Sequence, residues 1–234
     1  ADDMTDIGQG PGLSIDIPNW RYRDGGHGNA LNDPKLRCFA TEGDTVQVVE
    51  AEAERAWFPE PQIYRRTVAH VPLDDTRMYA VDIFRVRGGE THDWILHGAL
   101  QGAYELTTSL EHTSTQGTMH EYLDELRVAK TGDGWTADFL YEEAPHMRTH
   151  VLGAPGTEVV LARGPAMRAP GYAGFLDVRR EGPESVYVAV HDPYEDAPNV
   201  ERIEPLQFGD DPMDLGLVVH LADGRRDLIL SNGA

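Results

Sequence analysis

A single cysteine, Cys38, stands in a chain of 234 residues, so no intrachain disulfide forms and a cysteine-built metal cage is excluded. Basic residues are scarce as well: 20 Lys and Arg face 40 Asp and Glu, for a formal charge of -20. A surface of that sign repels phosphate backbones and anionic lipid, which sets nucleic acid and membrane aside as partners. Long apolar runs are missing, none exceeding a few residues, so neither a signal peptide nor a spanning segment is visible. The chain opens at Ala1-Asp2-Asp3 without an initiator Met and is read as a mature or excised piece. Nucleophile elbow, phosphate loop, dinucleotide fingerprint and zinc-protease helix are all absent. Helical periodicity is nearly so: in MHEYLDELRVAK, Met119, Tyr122, Leu123 and Leu126 recur at helical spacing and predict one short helix, while Leu126 to Val128 equally begins a strand.

Alternation with a period of two is present instead. Ile63 to Val71, Met78 to Val86 and Thr91 to His97 alternate in succession, separated by Asp74-Asp75 and Gly88-Gly89, and predict an antiparallel meander. LRCFATEGDTVQVVE predicts two strands across Glu42-Gly43-Asp44, and the last pair of strands joins through the hairpin dipeptide Asp223-Gly224. Many short strands between Gly- and Pro-rich turns argue for an all-β fold, a large two-layered antiparallel β-sandwich with at most one short helix. No linker or repeat divides it. One domain is expected over 1–234, with 1–36 an irregular lead-in carrying one or two strands.

The segments IYRRTVAHV, YAVDIFRVRGGETHDWILHG, GWTADFLYEE, GTEVVLARGP, FLDVRREG and YVAVHDPYEDAPNVERIEPL, in that order over roughly Asp44 to Leu206, resemble the C-terminal β-sandwich of heparinase II/III-like polysaccharide lyases. The resemblance implies a sandwich that completes the acidic-polysaccharide groove beside a helical α/α toroid, with cleavage by β-elimination and a secreted or periplasmic location. It implies a catalytic Tyr with an Asn or His, mostly on the toroid and on an early His-x-His strand. This chain has no toroid-like helical series, and Gly26-His27-Gly28-Asn29 has only one His, so no catalytic residue transfers. A domain inert alone is expected; a free-standing carbohydrate-binding module or a structural interaction domain are the rival readings.

Candidate residues follow from parity along the strands. Asp93, Ile95 and His97 share one side, His92, Trp94 and Leu96 the other. His97 is a candidate sugar contact, His92 and Asp93 candidate ligands of a structural zinc or calcium ion; the competing role is a buried hydrogen-bonded network with Arg65 or Arg66 as partner. Those two arginines point to opposite faces. One is expected to pair with Asp82 or Asp93, the other to reach a substrate carboxylate. His146, Arg148 and His150 share a face as a partly cationic strip, a candidate substrate-binding lining of a sugar groove, with an exposed strand face as the competing role. Trp20 and Trp57, in Pro-bounded loops, are candidate stacking platforms for sugar rings. Asp74-Asp75 and Asp210-Asp211 read as turn chemistry first and as calcium donors second.

Overall fold

A computed structural model describes residues 35–42, 46–53, 61–98, 104–114, 123–165 and 172–233. The strands in chain order are β1 (Lys35–Glu42), β2 (Val46–Glu52), β3 (Ile63–Pro72), β4 (Met78–Arg87), β5 (Thr91–His97), β6 (Tyr104–Thr108), β7 (Thr113–Ser114) and β8 (Asp124–Thr131). There follow β9 (Trp135–Tyr141), β10 (His146–Val151), β11 (Thr157–Pro165), β12 (Tyr172–Glu181), β13 (Glu184–Tyr194), β14 (Val200–Leu206), β15 (Leu215–Leu221) and β16 (Arg226–Ser231). The all-β expectation is met. No helix long and apolar enough to cross a membrane occurs among the described residues.

An eight-stranded sheet in the order β1-β2-β3-β4-β13-β10-β9-β6 carries a second sheet on each face. On one face lies the five-stranded sheet β5-β12-β11-β8-β7, and the two interdigitate through Phe84, Val86, Trp135, Phe139 and Tyr187 from the first and Trp94, Val159, Leu161, Leu176 and Val178 from the second. On the other face the three-stranded sheet β14-β15-β16 packs Leu215, Leu217, Val219 and Leu221 against Tyr79, Val81, Ile83, Val188 and Val190. The central strands β4 and β13 are therefore buried on both sides, which is why Val81 and Ile83 lie in one core while Phe84 and Val86 lie in the other. The third sheet adds a layer to the two that were expected.

Two further expectations are corrected. The meander breaks after β4: β3 pairs with β4, but β5 pairs with β12 in the other sheet. Gly88 and Gly89, at φ 112° and 92°, turn the chain across the sandwich rather than back along the same sheet. Alternation identifies a strand without naming its neighbour. Of the two readings of MHEYLDELRVAK, the strand holds over the described part and the helix does not: the chain is a strand from Asp124 on, paired with β11, and Glu125 sits at a left-handed φ of 55° that no helix accommodates. Leu126 packs instead with Val160 and Ala162 on the outer side of the five-stranded sheet. The part of the helix expectation over 119–122 lies outside the described residues, as does most of the lead-in 1–36.

Candidate functional site

The five-stranded sheet ends at β5, whose Trp94 ring lies over Tyr187 and, 6.3 Å away, over His191. Beyond that edge the large sheet continues as an open ledge. Register places Arg66 beside Phe84 and Val68 beside Asp82, so Arg66, Val68 and Asp82 rise from the same face. Asp82, 2% exposed, receives Arg66 Nε and Nη2 at 2.8 and 2.7 Å in a two-pronged pair. His191 lies with Nε2 at 3.7 Å from Asp82 Oδ2, while Thr149 Oγ1 stands 3.0 Å from its Nδ1. Burial alone raises the carboxyl of Asp82, but the neighbouring His191 and the two-pronged pair with Arg66 outweigh it and hold the group below the usual carboxylate range. The anion thus becomes a fixed pedestal. It leaves the guanidinium of Arg66 partly exposed, on rigid strands and beside an aromatic edge, a geometry suited to an oxyanion of a passing ligand. Thr149 is wholly buried and has no access to a substrate; it orients His191 from below.

The other sequence-derived candidates do not join this cluster. Arg65 points to the opposite face, as parity requires, but is buried rather than open to solvent: it meets Glu52 at 3.3 Å and Gly233 O at 3.3 Å. His146, Arg148 and His150 lie on that opposite face too. There Arg148 grips Asp138 at 2.7 and 3.1 Å, which raises its own pKa, and the His146 ring tilts against Tyr194 at 5.5 Å. His150 is 4% exposed beneath the start of β14, and burial, helped by the charge of Arg148, pushes its pKa down to about 4. The strip shares a face as read, but its last member is a buried neutral imidazole.

On the outer side of the five-stranded sheet, Asp93 takes both prongs of Arg179 at 2.6 and 2.8 Å. The partner of Asp93 is therefore Arg179, one strand over on β12, rather than Arg65 or Arg66. His97, on the same side, sets its ring 5.7 Å from Phe175. His92 faces the opposite way, with Nδ1 at 2.9 Å from Ser185 Oγ and Nε2 at 2.7 Å from Gly88 O. His92 and Asp93 consequently do not converge on a common point, and among the described residues no group of three or more His, Cys, Asp and Glu is placed to hold a metal. Trp20 and Trp57 lie outside the described residues. Asp74 and Asp211 act as turn caps: Asp74 receives the amides of Thr76 and Arg77, and Asp211 that of Met213.

No family model matches the sequence, and no curated protein matches it. Solved structures do. The heparan sulfate lyase HepC from Pedobacter heparinus aligns with 85% of this chain and 28% of its own, at TM-score 0.55 and 14% identity. Two heparinase III structures align at TM-scores of 0.53 and 0.52, with 12% and 13% identity, over 86% and 85% of this chain and 28% and 27% of theirs. The fold is that of a heparinase-like β-sandwich domain. This chain spans little more than a quarter of the proteins it matches.

Sequence reasoning missed His191, Thr149 and Arg179. His191 sits in the alternating run SVYVAVHDPY, but its meeting with Asp82 depends on β13 pairing with β4 across a separation of about a hundred residues. No local pattern carries that pairing.

Proposed function

We propose that this chain is the β-sandwich part of a polysaccharide lyase of the heparinase kind, supporting the groove for an acidic polysaccharide and lacking elimination activity by itself. The observation that carries the reading is the fold, shared over most of this chain with part of lyases that are several times longer. The ledge supports it in chemistry: Arg66 is a cation held in place by a buried carboxylate, on a surface otherwise dominated by acid. Elimination beside a uronate needs a group that neutralises the carboxylate, a base for the adjacent carbon and an acid for the leaving oxygen. Arg66 fits the first role. The partners for such a set, a helical domain or chain, lie elsewhere on this reading, and the protein works outside the cytoplasm where polysaccharide is met.

Incubating the full chain with heparan sulfate and other acidic polysaccharides, with ultraviolet detection of the unsaturated uronate, tests the claim of inertness; a steady rise in absorbance overturns it. Binding tests the ledge. Arg66→Ala is expected to weaken polysaccharide affinity about tenfold, roughly 1.4 kcal/mol, with Arg148→Ala as the control on the other face. Equal losses at both positions would remove Arg66 from its assigned role.

A further inference from the structure

We propose, on the reading of the ledge as a polysaccharide site, that His191 sets its charge: on gaining a proton it becomes a second cation beside Asp82, and the ledge then holds an acidic polysaccharide more tightly. One anion there serves two partners. Asp82 Oδ1 accepts from Arg66 Nε at 2.8 Å, and Oδ2 accepts from Arg66 Nη2 at 2.7 Å while facing His191 Nε2 at 3.7 Å. That last distance is too long for a hydrogen bond and short enough for an ion pair, so the imidazole draws on Asp82 chiefly when it is charged. With a neutral imidazole the set has no net charge, because Arg66 and Asp82 cancel. One proton on His191 sets two cations against a single carboxylate. The surplus is felt at the surface, where the Arg66 side chain is 31% exposed.

The surroundings admit that proton. The His191 side chain keeps 16% of its surface open to solvent. Its Nδ1 stands 3.0 Å from the hydroxyl of Thr149, which donates to a bare ring nitrogen and accepts from a protonated one, so neither form strands a buried polar atom. From β5 the ring meets Trp94. On β10, Arg148 is turned to the other face, where Asp138 takes it, and on β13 itself Asp192 is turned away as well, holding Asn199 and the amide of Val200. Among the described residues, the other titratable group in this row is His70 on β3, reached across Ala80, and its ring meets Met78 Sδ rather than a carboxylate. Asp82 itself is held in its charged form. Histidine is the side chain that changes charge between about pH 5 and about pH 8. Affinity for a polyanion therefore rises as pH falls through that range, and by linkage the bound polyanion favours the proton on His191.

The test is the affinity of the full chain for heparan sulfate at about pH 8 and about pH 5.5, at one fixed salt concentration. Other histidines add to any general gain, so the ratio of the two affinities is compared between variants. The unaltered chain should gain about fivefold or more on acidification. His191→Gln should lose most of that gain, and His70→Gln should keep it. Calorimetry at about pH 6.5 in two buffers of different ionisation heat should show the unaltered chain taking up protons as it binds. Thr149→Val, which leaves a protonated Nδ1 without its acceptor, should take up fewer. A full gain kept by His191→Gln, a gain lost in His70→Gln instead, or binding without proton uptake overturns the proposal. Arg66→Ala separates it from the reading beneath it. If that variant weakens binding at about pH 8 while His191→Gln keeps the gain, the pH control alone falls. If Arg66→Ala leaves binding unchanged at both pH values, the ledge is not the polysaccharide site and both fall.

Discussion

His150 shows how one residue is governed by depth rather than by type. Its imidazole is 4% exposed, next to Arg148, and Nε2 meets no hydrogen-bond partner among the described residues. Charging it there is costly, hence a pKa pushed down to about 4 in the folded chain, against about 6.5 for a solvated histidine. Between those values the unfolded chain binds a proton that the folded one refuses, so stability falls as pH falls through that window and the loss is complete below it. The full difference is on the order of 3 kcal/mol. Urea denaturation at about pH 7 and about pH 4.5 should therefore show a smaller drop for His150→Leu than for the unaltered chain; equal drops would disprove the buried-neutral assignment. Asp82 makes the converse point, for burial there is overcome by Arg66 and His191, and the carboxylate stays charged.

At the scale of elements, the chain from β4 to β5 is decisive. Gly88 donates its amide to Pro183 O at 2.8 Å, and Gly182 donates to Glu90 O at 2.8 Å, so the β4–β5 and β12–β13 corners brace each other as both cross between sheets. A Cβ on Gly88 would lie 3.2 Å from Pro61 Cα, in a backbone region that side chains disfavour. Gly88→Ala should cost about 1–3 kcal/mol, read as a lower urea midpoint with unchanged strand content by circular dichroism. A neutral Gly88→Ala would mean that the corner is relaxed. Pairing across this corner also places His92: Tyr187 donates its hydroxyl to His92 O at 2.6 Å, clamping β5 onto β13. That clamp, and the Trp94 ring stacked on Tyr187, make the edge of the ledge rigid.

Across the whole molecule, the smallest sheet is held to the large one by more than leucines. Arg85 is completely buried, with Nε donating to Met213 O at 2.9 Å and Nη2 to Ser231 Oγ at 2.9 Å. Arg65 adds a donor to Gly233 O, and Thr67 donates to Glu50 Oε2 at 2.6 Å, so one polar seam of the large sheet satisfies the end of the chain. Burial lowers the pKa of Arg85, yet its distance from neutrality leaves it charged. Replacing it with an apolar group of similar length orphans several acceptors at once, and Arg85→Met should cost about 3 kcal/mol or more. Hydrogen exchange should show the loss first in β15 and β16. Uniform loosening of all three sheets would argue against a local seam.

Much of this was readable along the chain. Alternation and turn chemistry marked nearly every described strand, Asp223-Gly224 its hairpin, and parity correctly separated Arg65 from Arg66 and His92 from Asp93, because a strand turns its side chains by a fixed half-turn per residue. Where each face would lie was decided only by the tertiary structure. Partner choice between strands far apart in sequence put Arg179 beside Asp93 and His191 beside Asp82, sent β5 to another sheet, and buried Arg65 and His150. Such choices depend on which apolar faces bury together most completely, a property of the assembled layers that no local stretch encodes.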